Sequence, residues 1–176
     1  FKKSYCLFKS ILSGYLEYLY ETSSRPSSSV RRFPLSRLLA ELDEYFKQGF
    51  PDRRKIHRLT LVAHFIKQPW SPGKGRKTGL YRHYALGREL QKRANCLISC
   101  LVRWPRLQTW VRGIDAAANE LHAPPDIFAP VFRICFKAGL TRRTYHAGED
   151  FRHLLSGIAT MWEALNLLDL ENGDRI

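Results

Sequence analysis

From residue 56 onward the sequence alternates between short strand-forming runs and longer segments with apolar residues three and four apart. This alternation restricts the fold more than any other feature. Residues 58–67 contain Leu59, Leu61, Val62, Phe65 and Ile66, a largely apolar run that suits a buried parallel strand. Residues 110–115 and 142–146 read as further strands, and 174–176 as the start of another. Between them lie three helix-spaced segments, residues 80–102, the stretch from Ile127 to Phe136, and 151–170. Asp126 is the expected cap of the middle helix. A β-α-β-α-β-α-β order predicts an α/β protein with a parallel sheet and right-handed crossovers. His64, near the end of the first strand, reads as a hydrogen-bonded core residue rather than a ligand contact, and His57 as a surface residue.

Residues 1–55 lack this alternation. Segments 5–20 and 34–47 read as amphipathic helices, with Ser36 as cap and Gly49 as stop of the second. The Ser-rich stretch 22–29, with Pro26, is a loop. The expectation is a helical subdomain or insertion over 1–55 that precedes the α/β part over 56–176.

The third strand runs into Thr144-Tyr145-His146-Ala147-Gly148-Glu149-Asp150. Ligands bind outside the carboxyl ends of parallel strands, so this turn is where chemistry is expected. His146 can offer a neutral imidazole nitrogen to a metal, and Glu149 can reach the same pocket as an acid or base. The plainer account is a strand-end histidine beside a helix-initiating acid. His146-Ala147-Gly148-Glu149 resembles the signature of the adenosine/AMP deaminase family. Gly113-Ile114-Asp115-Ala116-Ala117-Ala118-Asn119-Glu120 is similar to that family's G-x-D-x-x-G-x-E strand. Ser156-Gly157-Ile158 with Glu163-Ala164-Leu165 resembles the helix that follows, and Gly173-Asp174-Arg175-Ile176 the start of its D-R-I-G-H strand. The run from His146 to Gly157 is similar to the adenosine deaminase-like subunits of bacterial RADAR anti-phage systems. The resemblance covers residues 107–176 and extends over 56–106.

The resemblance implies part of a (β/α)8 TIM barrel of the amidohydrolase type, truncated at both ends, because 176 residues fall short of the about 250 a barrel uses. It implies zinc (Zn2+), with His146 as one ligand; zinc lowers the pKa of bound water to about 7. Glu149 would donate a proton to the purine ring, which requires a closed, poorly solvated pocket to keep it protonated. Ala118 stands where the family has a glycine whose backbone N–H meets the base, Gly148 would line the substrate, and Asp115 and Glu120 would orient the site from behind. The family's H-x-H pair, its activating histidine and its late aspartates do not occur in these residues, so activity is expected of a longer protein. The implied reaction is hydrolytic deamination of adenine nucleosides or nucleotides in the cytoplasm, in a large homo-oligomer with an ATPase partner and a role in anti-phage defence. The alternative is a catalytically inactive basic scaffold for RNA binding or assembly.

Charge bears on that alternative. The net charge is +13, yet residues 144–176 hold six acids and two bases, which leaves +17 on residues 1–143. An anionic partner such as RNA and an ordinary solvated surface account for this equally well. Residues 71–79, with Lys74, Arg76 and Lys77, read as a basic loop whose spacing does not match a phosphate-binding G-x-x-x-x-G-K-[ST] motif. Cys6, Cys96, Cys100 and Cys135 show no zinc-cluster spacing and read as buried thiols. No apolar run reaches the roughly 18 residues of a membrane span.

Overall fold

The computed structural model describes residues 2–48, 58–71 and 81–176. Gly49, His57 and the basic stretch 72–79 lie outside the described residues. The chain divides into two compact units, Phe1–Thr60 with Ser99–Trp110, and Leu61–Ile98 with Val111–Ile176.

In the first unit, α1 (Lys2–Thr22) and α2 (Leu35–Lys47) pack through a leucine core. Leu12, Leu16 and Leu19 face Leu35, Leu38, Leu39 and Leu42, all buried, and each contributes about 2 kcal/mol. Two hydroxyls fix the register: Tyr45 donates to the Leu19 carbonyl at 2.9 Å and Tyr20 to the Glu41 carboxylate at 2.7 Å. Ser36 is not the cap of α2. That place belongs to Pro34, whose restricted φ and missing N–H suit a helix start, and no side chain caps the helix.

The second unit is built on β1 (Leu61–Ile66), β2 (Val111–Ala117) and β3 (Arg142–Tyr145), parallel and in the order β1-β2-β3. The helix α3 (Tyr84–Arg103) lies between β1 and β2 in sequence, and α4 (Ala129–Lys137) between β2 and β3. Gly113 is needed for close strand approach, since a Cβ there would collide with the Arg142 carbonyl. Asp126 does not cap α4; it sits inside a short 3-10 turn, Pro125–Ile127, and α4 begins after Phe128 without a side-chain cap. The last helix, α5 (Leu154–Leu167), starts later than the apolar pattern predicts, because His153 and Ser156 form a reciprocal cap.

One face of the sheet is covered. Phe65, Ala116 and Tyr145 lie side by side in register on it, all buried. Phe128 and Phe132 meet the Tyr145 ring edge-on at 5.9 and 6.3 Å, and Phe136 lies under the Arg143 guanidinium at 4.6 Å. Arg143 and Asp174 form a buried ion pair of 2.6 Å, and Asp174 also accepts the Arg143 backbone N–H at 2.9 Å. This pair lays the C-terminal residues beside β3, where Arg175 bridges Thr144 in parallel. The other face stays open: Val62 and Ile66 are 46% and 39% exposed. The buried first strand expected from its composition is therefore a half-covered edge strand.

The expectation of a partial (β/α)8 TIM barrel is overturned. The described residues are 58% helical, with one small open parallel sheet of three strands. A barrel closes only when its first strand bonds to its last, around eight tilted strands. Among the described residues β1 bonds to β2 alone. Replacing Asp174 by Ala would strand a buried guanidinium. The expected loss is about 3 kcal/mol or more in urea denaturation, and a loss below about 1 kcal/mol would show that the pair does not hold the C-terminal segment.

Candidate functional site

The turn after β3 is assembled by two buried charges. Gly148 has φ +82°, and a Cβ would stand 2.8 Å from the Met161 sulfur, so the position favours glycine. The buried Glu120 carboxylate accepts the Gly148 N–H at 2.7 Å and the Asp150 N–H at 2.5 Å. From the end of β1, Lys67 donates its ammonium to the His146 carbonyl and lies 4.0 Å over the Tyr145 ring. Lys67 is 1% exposed. Burial pushes its pKa down to about 8, against the opposing pull of Glu120, Asp115, Glu149 and Asp150.

The turn presents His146 and Glu149 together. Nδ1 of His146 lies 3.3 Å from the Glu149 carboxylate, and its Nε2 lies 3.6 Å from Oδ2 of Asp115. The Asp115 side chain is only 4% exposed, whereas that of Glu149 is 70% exposed. The closed pocket that a protonated Glu149 was expected to need is not formed around it. His64 also differs from expectation. Its ring is 55% exposed rather than in the core, with Nδ1 2.7 Å from Oδ2 of Asp115. That contact is close but off the hydrogen-bonding direction, since neither Asp115 oxygen has a hydrogen-bond partner among the described residues.

The remaining candidates sit nearby in sequence. Ala118 is exposed beyond the end of β2 with φ +83°, a backbone conformation that favours glycine. Asn119 caps the turn that follows by accepting the Leu121 N–H at 2.9 Å. The sequence reading overlooked Lys67. Its signal was a charged residue directly after an apolar strand, at the edge where ligands bind. For His64 the signal was alternation: buried Phe65 places its neighbour on the opposite face. Cys135 is buried, and its thiol is pushed up to about 12, which makes it a packing residue.

The donors do not form a zinc site by themselves. Among the described residues no three His, Cys, Asp or Glu side chains converge to hold a metal. No family model matches the chain, and no curated protein matches it in sequence. Among the described residues no helix is long and apolar enough to cross a membrane.

Two measurements follow from this geometry. Ala118→Gly relieves a left-handed alanine and should raise stability by about 1 kcal/mol in urea denaturation; no gain would mean that the strained backbone is absent. For Lys67 the folded pKa lies below the ordinary 10.5, so the unfolded chain binds more protons between pH 8 and 10.5. The charge therefore costs stability below pH 8, and that cost disappears as pH rises through the window. The stability of the wild type relative to Lys67→Met should climb from about pH 7.5 to about pH 10. A flat difference would show that the lysine is not buried as a cation.

Proposed function

We propose that this chain carries part of a hydrolytic deaminase site for adenine nucleosides or nucleotides, with zinc as its metal and His146 as one ligand. One observation carries the reading: the His146 imidazole and the Glu149 carboxylate face each other at 3.3 Å beyond the carboxyl end of a parallel strand. They do so within a sequence that resembles the deaminase signature. Zinc, with His146 as one of its ligands, would supply a hydroxide nucleophile at neutral pH. Glu149 stands on the solvent side of the turn, within reach of an incoming base. Gly148 and Ala118 keep small groups beside the base, while Glu120 and Lys67 hold the turn that orients the imidazole. The similarity to RADAR subunits adds anti-phage defence, a cytoplasmic setting, a large homo-oligomer and an ATPase partner to this proposal.

The second reading is an inactive basic scaffold that binds RNA. The +17 charge on residues 1–143 is compatible with it. Incubation of the protein with adenosine, AMP, ATP and RNA, with inosine products read by chromatography, separates the two. Glu149→Gln should lower deamination at least about 100-fold while the zinc content is unchanged. Unaltered turnover would remove Glu149 from the mechanism. RNA affinity that falls steeply with salt, with no inosine formed, would favour the scaffold.

A further inference from the structure

We propose that His64 is a ligand contact of this site, presented by Asp115 to a planar nitrogen heterocycle lying on the open face of the sheet. The inference rests on the deaminase reading and names a residue that the resemblance does not assign.

The sheet register places the relevant groups in one row. His64 pairs with Asp115 and Asp115 with Thr144, so all three share a face, with His146 two residues beyond Thr144. Helix α4 covers the opposite face through Phe128, Phe132 and Phe136. Val62 and Ile66 flank His64 on the open face and are both exposed. A flat ring therefore finds aliphatic surface next to polar side chains, the usual composition of a small-molecule site.

Asp115 is the anchor. Its side chain is more than nine-tenths buried, yet neither oxygen accepts a hydrogen bond among the described residues. Buried carboxylates without donors are uncommon and call for an explanation. Two imidazoles stand beside it, His64 at 2.7 Å and His146 at 3.6 Å, and a small ring rotation would let either donate. With Nδ1 turned to Asp115, His64 keeps Nε2 on the outer edge of a half-exposed ring. A carboxylate behind one ring nitrogen fixes the tautomer and orientation of the other. The outer nitrogen is then set to meet a ring nitrogen or an exocyclic amino group.

Site-resolved carbethoxylation of histidines with diethyl pyrocarbonate, read by mass spectrometry on the whole protein with and without saturating adenosine, tests the assignment. After zinc is removed with a chelator, both His64 and His146 should be modified in the free protein and protected together by adenosine. His64→Ala should weaken adenosine binding about tenfold, the value of one hydrogen bond, and His64→Gln, which keeps a polar end, should recover part of it. Protection of His146 alone, or unchanged affinity in His64→Ala with an unaltered circular dichroism spectrum, would overturn the role of His64 and leave the deaminase reading standing. Protection of neither histidine would overturn both.

Discussion

The site depends on two buried charges of opposite sign gripping one turn. Glu120 collects two backbone N–H groups from residues 148–150, and Lys67 satisfies the carbonyl of His146. Neither charge makes a close ion pair with the other among the described residues; each is compensated by backbone dipoles and, for Lys67, by the Tyr145 ring. Charge-assisted bonds to a backbone are stronger than neutral ones, and in a buried setting they are costly to break. The imidazole of His146 and the carboxylate of Glu149 project from a rigid support as a result. The gripping residues come from the ends of β1 and β2, so the turn after β3 owes its shape to its neighbours.

The sheet divides its labour between two faces. Phe65, Ala116 and Tyr145 bury one face under α4, while His64, Asp115 and Thr144 line the other. Apolar burial stabilises the first face and leaves the second available for polar groups. A similar contrast marks α5, which buries Gly157 and Ala164 yet exposes Leu154, Leu155, Ile158, Trp162 and Leu165. Uncovered apolar surface on this scale is characteristic of interaction sites.

Much of the local structure was legible. The three-and-four spacing located α1, α2 and α3, because an amphipathic helix must repeat its core face every turn. Parallel pairing followed from the alternation with helices. Helix starts were read less well. Ser36 and Asp126 have capping side chains but sit inside their turns, since Pro34 and the Pro125 turn set the boundaries instead. The partial barrel was inferred from resemblance, and a local pattern of strands and helices carries no information on whether a parallel sheet curls into a barrel wall or stays open. His64 was assigned to the core because its neighbours are apolar, although alternation in a half-covered strand sends it outward.

The sequence by itself determined the parallel βα alternation and the chemical groups on the 144–150 turn, because periodicity and residue type are local properties. Only the tertiary structure decided that the sheet stays open, that Lys67 and Glu120 hold the turn, and that His64 and His146 share one buried carboxylate. Those outcomes join residues from 28 to 79 positions apart, and strand register, which the linear order does not encode, brings them together.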